Sequence, residues 1–388
     1  MNTRLTRRNG LALLGLVALA IYVLACTSFS PDDTKVLYPA FDAPSGKLGV
    51  AVYHRRSDRS ETIFLPVDLK GELTGGTNSV KAPFLRPQWM PDGRRALITC
   101  TFANDLAFAL VPCVAGGGPS KLFFGLAENS CGNDAALVFS TPVDGERAYL
   151  QGTSNSIVRL DLKTGAIVRH QRPSEQGKIA VLPGANGQGL FYFQEGEVQT
   201  FGRLNPDTFQ ETPLMSFTNK FANSSFFAYD PLGKRVTFVE EGQALPRLLI
   251  LEKGKVIFSR PLLPLNAGKL YFGNAQFARK GDVIVASYQV INERQTNSTF
   301  GLMEIPISDA PLRLTPLVSN VNIKDESALY FQISVSHDGK TAACSSSYLA
   351  CECDSLRPED CALFLIDLQD SKRKVTKALM PMPAKRNS

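Results

Sequence analysis

The stretch Pro87-Gln88-Trp89-Met90-Pro91-Asp92-Gly93-Arg94-Arg95-Ala96-Leu97-Ile98 decides the fold. One apolar segment runs into Pro-Asp-Gly and a second leaves it. A tight hairpin needs a residue that tolerates φ > 0, which Gly93 supplies, and the proline two positions earlier presets the turn. Aligned on that glycine, the unit returns at Gly145, Gly233, Gly281 and Gly339, with Asp144 and Asp338 repeating Asp92. Three residues after each glycine stand Ala96, Ala148, Val236, Ile284 and Ala342; four residues before stand Trp89, Thr141, Tyr229, Phe277 and Val335. Two looser copies extend the series: Ser45-Gly46-Lys47 before Leu48-Gly49-Val50-Ala51-Val52, and Asn186-Gly187-Gln188 before Leu190-Phe191-Tyr192-Phe193.

A second half-unit recurs between these turns, as IFLPVDL (63–69), LAFALVP (106–112), IVRLDLKTG (157–165), FGRLNPDT (201–208), LLILEKG (248–254), GLMEIPI (301–307) and LFLIDLQD (363–370). The turn glycines lie 42 to 58 residues apart, near or somewhat above the span of a four-stranded propeller blade. Such short β-rich repeats cannot bury their faces alone. The spacing therefore predicts an all-β chain, a β-propeller of four-stranded antiparallel blades, about seven in number. A propeller of six or eight blades and a tandem of two β-sandwiches are the alternatives. The segment PxWxPDGxxAL resembles the TolB-type and WD-repeat-like propeller unit, and DGERAYLxxxxxxxIVRLDLKTG resembles the unit of related seven-bladed propellers. That resemblance covers roughly residues 44 to 378 and implies a fold, not an activity, because propellers host many functions. Asp92, Gly93, Asp144, Gly145, Gly233, Gly281, Asp338 and Gly339 are read as structural residues of the blade turns.

Composition narrows the class further. Of 388 residues, 44% are hydrophobic and 20% charged, which excludes a disordered chain. A mean hydropathy of -0.05 excludes a multi-span membrane protein. Half of the formal charge of +6 comes from Arg4, Arg7 and Arg8. Beyond them no dense Lys/Arg run is interleaved with aromatics, and Lys372, Arg373, Lys374 and Lys377 read as a solvated end, so no nucleic-acid partner is expected.

Those three arginines precede Leu11 to Ala25, uncharged and mostly apolar, the pattern of a secretory signal over 1–25. The stretch is short for a permanent span. It ends in Val23-Leu24-Ala25-Cys26, which resembles the lipobox at which bacterial lipoprotein signals are cleaved before a diacylated cysteine; Leu24 is bulkier than the residue usual there. The resemblance implies lipidation of Cys26. An uncleaved signal anchor and ordinary signal-peptidase cleavage are the rival readings, and Arg7-Arg8 followed by Asn9-Gly10 fits the twin-arginine route poorly. Thr27, in place of the aspartate that resembles an inner-membrane retention signal, points to the outer membrane. Residues 26–43 carry Ser, Thr, Pro and Asp without periodicity and read as a lipidated tether. The propeller is then expected over 44–380 and a C-terminal tail over 381–388.

Eight cysteines in an exported chain suggest disulfides. Cys344, Cys351, Cys353 and Cys361 fall within eighteen residues of the last blade and are expected to form two local bridges in one of three pairings. Four thiolates can also hold zinc, but the one-residue gap of Cys351-x-Cys353 is tighter than usual. Glu352, Asp354, Glu359 and Asp360 in the same stretch offer carboxylates for Ca²⁺, against the plainer reading of a solvated loop. Cys113 and Cys131 are further disulfide candidates, with Cys100 read as a buried free thiol.

His54, His170 and His337 are the only histidines, and none stands in a recognisable catalytic motif. No cofactor or metal is therefore expected. The leading expectation is a noncatalytic envelope module, held to a membrane through lipid on Cys26 and binding a protein partner through its loops or channel mouth. The alternatives are a propeller enzyme acting on a glycan or small molecule through carboxylates at the channel mouth, and a propeller that binds a small ligand or ion.

Overall fold

The computed structural model describes residues 27–42, 47–68, 85–102, 105–114, 120–123, 140–151, 155–173, 179–183, 189–194, 196–218, 228–230, 232–240, 247–262, 269–278, 281–292, 294, 296–322, 332–345 and 362–379. Their strands form seven four-stranded antiparallel sheets, each built from four strands consecutive in the chain. These are the blades of a seven-bladed β-propeller: blade 1 over 28–68, blade 2 over 85–123, blade 3 over 140–171, blade 4 over 179–218, blade 5 over 228–261, blade 6 over 269–322 and blade 7 over 332–379. First strands touch in turn through blades 1 to 4 and through blades 5 to 7, and the first strand of blade 7 returns to that of blade 1. First strands therefore surround the axis and fourth strands form the rim.

Burial follows from that layering. The middle strands are apolar on both faces because a neighbouring blade covers each side; Arg247–Glu252 (RLLILE) and Leu190–Gln194 (LFYFQ) are buried through their centres. Outer strands face water. Glu211–Thr218 (ETPLMSFT) and Lys255–Pro261 (KVIFSRP) show only isolated covered positions. The apolar clusters accordingly lie between blades, with Met90, Leu97, Phe108 and Leu110 of blade 2 against Ala148, Val158 and Leu160 of blade 3. Blades 6 and 7 share a similar cluster around Val285, Leu302, Phe364 and Ile366.

The aligned turn glycines all adopt positive φ: 63° at Gly93, 77° at Gly145, 70° at Gly233, 91° at Gly281 and 69° at Gly339. The alanine, valine or isoleucine three residues on is fully buried in all five units.

Blade 1 corrects the expected boundary. Residues 26–43 are not a tether over their length: Ser28–Phe29 and Lys35–Asp42 are the first and second strands of blade 1. The third strand is Lys47–His54, and the IFLPVDL segment falls on the fourth strand, Arg59–Asp68, whereas its counterparts fall on third strands. Blade 1 thus begins one strand earlier than expected. Its first turn is Ser30-Pro31-Asp32-Asp33-Thr34, where Asp33 takes the glycine position at φ 56°. The same backbone bond closes the turn in blades 1, 2, 5 and 7, from Ser30, Met90, Asp230 and Ser336 N–H to the carbonyls of Lys35, Arg95, Arg235 and Thr341. Residues 381–388 and Gly46 and Gly187 of the looser copies lie outside the described residues.

Blades 4 and 6 share a further device. Gly202 pairs with Tyr192 on one side and Pro213 on the other, beside a bulge at Phe201. Gly301 pairs with Tyr288 and Pro316, beside a bulge at Phe300. Both tyrosines are buried, and burial pushes their hydroxyls up to about 12. A Cβ on Gly202 would lie 2.5 Å from both the Thr212 carbonyl oxygen and the Tyr192 ring, so glycine is required here for space. The prolines sit on rim strands, where a missing N–H blocks pairing with another chain. Replacing Gly202 with Ala should therefore cost about 3 kcal/mol through overpacking. Gly189→Ala, at φ 76° but in open space, should cost only the backbone strain of about 1 kcal/mol. Urea unfolding of both variants checks the order; equal losses would remove the packing argument.

Candidate functional site at the closing seam

A propeller made from one run of strands must join its last blade to its first. Among the described residues no sheet mixes strands from the two ends of the chain, so the joint there depends on side chains. Phe29, Val36, Tyr38, Ala51 and Tyr53 of blade 1 pack with Ala343, Leu363 and Leu365 of blade 7. A polar clasp lies over this cluster.

Asp33 is its centre. The left-handed conformation that turns the chain also aims its carboxylate at blade 7. Oδ1 accepts the His337 backbone N–H at 2.9 Å and lies 2.8 Å from His337 Nδ1, while Oδ2 accepts the Asp338 N–H at 2.9 Å. An aspartate of blade 1 thereby caps the Ser-His-Asp-Gly turn of blade 7. Arg55 works from the other side, donating to the Asp33 carbonyl and the Thr341 hydroxyl, each at 2.6 Å. Its guanidinium also lies over the Phe29 ring, 5.6 Å from the centroid.

Beside Asp33, the Asp32 carboxyl is held down to about 2, first by the Ser30 hydroxyl, against desolvation, and then by the Thr34 N–H and hydroxyl and by Lys35. Because the folded value is depressed from 3.8, this turn's contribution is fully present above about pH 4 and is lost as pH falls toward 2. Nearer the axis, the Thr27 hydroxyl lies 2.7 Å from that of Ser334 and donates to the Ala343 carbonyl at 3.2 Å. Thr27 is only 8% exposed. The indole N–H of Trp89 in blade 2 donates to the Ser28 carbonyl at 3.0 Å, so the start of blade 1 is gripped from both neighbours.

Arginines bind other blades along the same turn-bearing face. Arg95 bonds Asp92 of its own turn and donates to the Gly145 carbonyl of blade 3 at 2.8 Å. Arg235 does the same with Asp230 and the Gly281 carbonyl of blade 6, at 3.0 Å. Arg147 pairs with both Asp144 and Asp207 of blade 4. That blade-4 hairpin also seats Phe209, at φ 59° and 6% exposed, against His170, whose ring stacks 5.2 Å away.

The cysteines are placed differently from expectation. Cys344 is a free thiol, wholly buried in the strand Thr341–Ser345 among the apolar side chains between blades 6 and 7. Its side chain joins that core, so it does not staple the stretch that follows, and burial pushes its thiol well above the usual range. Cys113 is likewise free and buried, its thiol pushed up to about 12 by burial. Cys26, Cys131, Cys351, Cys353 and Cys361 lie outside the described residues. His337, which stands in no catalytic motif, lies in the seam turn beside Asp338 and Gly339; the clasp itself was missed, although Ser30-Pro31-Asp32-Asp33 aligns with Met90-Pro91-Asp92-Gly93.

No family model and no curated protein sequence matches the chain. Among solved structures it is similar to Kuenenia stuttgartiensis hydrazine synthase, at 13% identity and a TM-score of 0.46 over 73% of this chain and 76% of that one. It is also similar to the β-propeller domain of Myceliophteria thermophila Cps50 (Swd1), at 12% identity and a TM-score of 0.45 over 67% and 78%. Neither likeness bears on activity.

Asp33 gives a test in which the sign is informative. Glycine is the better residue for this backbone, so Asp33→Gly should stabilise an isolated turn. If the carboxylate closes the ring, the same change should destabilise the protein by about 1–3 kcal/mol, with Asp33→Asn between the two, because the His337 and Asp338 N–H groups lose their acceptor. Chemical unfolding at pH 7 reads the difference.

Proposed function

We propose that this chain is an envelope lipoprotein, anchored through Cys26, whose noncatalytic propeller binds a protein partner. The observation that carries the reading is the order Arg4, Arg7, Arg8, then Leu11 to Ala25, then Cys26, with the first described strand at Ser28–Phe29. Charge, apolar run, lipobox and folded domain follow one another without an intervening segment. Thr27 after the cysteine supports outer-membrane attachment, with the propeller on the periplasmic or cell-surface side.

The arrangement of charge supports a binding role over a catalytic one. Asp92, Asp144, Asp207, Glu211, Asp230 and Glu304 are each engaged by an arginine, and for Asp207, Glu211 and Glu304 that arginine comes from outside the carboxylate's own blade. Carboxylates committed in this way hold the scaffold and are not poised to exchange protons with a substrate. A ring of turns on a rigid frame suits recognition of a protein surface in the envelope, with no cofactor.

Replacing Cys26 with Ser should move the protein from the membrane to the soluble fraction and abolish incorporation of labelled palmitate. Unchanged fractionation would defeat the lipoprotein reading. Crosslinking in intact envelopes, with the membrane-attached protein as bait, should then recover a defined protein partner; no specific adduct would remove the binding role.

A further inference from the structure

We propose that the lipid seats the propeller on the membrane in one orientation, with the axis end opposite the first-to-second-strand turns against the lipid surface and the turn-bearing face toward the aqueous phase. This rests on lipidation of Cys26.

The first strand of blade 1 runs from Ser28 toward the turn at Ser30, so the preceding chain arrives from the other end of the axis. The equivalent turn bonds of Ser30, Met90 and Ser336 set the residue count between blades. By that count Thr27 matches Pro87 and Ile333, and the residue before it matches Arg86 and Gln332. Gln332 begins its strand and Arg86 is the second residue of its own. Thr27, the residue that follows the proposed attachment point, therefore lies near the end of the first-strand ring, at the mouth of the axis.

Slack at this junction decides whether position becomes orientation. A flexible tether of about 18 residues would spread its ends by roughly 20–25 Å and let the domain tumble. One trans peptide spans about 3.8 Å. Thr27 is itself fixed, by Ser334 and Ala343 of blade 7, and Phe29 is buried two residues later. The acyl chains thus leave from a rigid body. The second strand of blade 1, Lys35–Asp42, at about 3.3 Å per residue, separates the two faces by roughly 25 Å.

This separation is wide enough to measure in vesicles of phosphatidylethanolamine and phosphatidylglycerol carrying a headgroup-linked acceptor dye. The lipidated full-length mature protein would carry a fluorescent residue at Glu197 or Arg294, exposed at the anchor end, or at Lys163 or Lys372, exposed on the turn face. Energy transfer from the first pair should exceed that from the second severalfold. Inserting about 18 Gly and Ser residues between Cys26 and Thr27 should leave flotation intact and erase the difference. A protein that retains Cys26 but does not float with the vesicles removes the lipoprotein reading itself. Flotation with equal transfer from both pairs, or a difference that survives the insertion, overturns the orientation.

Discussion

Each blade of this ring presents apolar side chains to both sides, so it is covered only when it has a neighbour on each side and the seventh blade meets the first. Burying a large apolar side chain is worth about 1.5–3 kcal/mol, and an unclosed ring would leave such faces wet at both ends. Blade 1 would expose Phe29, Tyr38 and Tyr53, and blade 7 would expose Leu363 and Leu365. Since each blade completes its own sheet, the link across the gap is not a strand ladder among the described residues. Asp33, Arg55 and Thr27 supply it through side chains.

Turns perform two tasks at once in this architecture. A residue at positive φ reverses the chain, and the aspartate and arginine around it reach the neighbouring blade. In blade 2 the Asp92 carboxylate holds Arg95, whose other nitrogen finds the Gly145 carbonyl. In blade 1 the division of labour shifts, because the residue at positive φ is itself the one that reaches across. Aspartate tolerates the left-handed region better than most residues, at some local cost, and the bonds to His337 and Asp338 offset that cost.

This substitution explains what the sequence concealed. Glycine turns with fixed flanking residues were legible because a tight hairpin restricts φ wherever it occurs, and the apolar runs between them gave blade number and class. Blade 1 was legible only in part, because its turn has Asp33 where the others have glycine and its first strand has two residues. Ser, Pro and Asp in that setting look like linker composition. Cys344 was misread for a related reason: in Thr341-Ala-Ala-Cys-Ser every residue is buried, so strand alternation says nothing about which way the thiol points. Contacts such as Arg147 to Asp207 join residues far apart in the chain. Their types are commonplace at turns, and only the stacking of blades selects the partner.

Closure and the proposed anchoring would converge on the same few residues. The first strand pairs with the second at only two positions, Ser28 with Leu37 and Phe29 with Val36. Two ladder positions are a weak hold for a strand from which a membrane anchor would extend. The strand is instead held from both sides, by Trp89 of blade 2 at the Ser28 carbonyl and by Ser334 and Ala343 of blade 7 at Thr27. A pull on the residue before Thr27 would therefore load the seam itself, and the same bonds that keep blade 7 against blade 1 would resist it. Short strand, buried junction and side-chain clasp are three parts of one mechanical arrangement, in which the proposed attachment to a surface would bear on the bonds that close the ring.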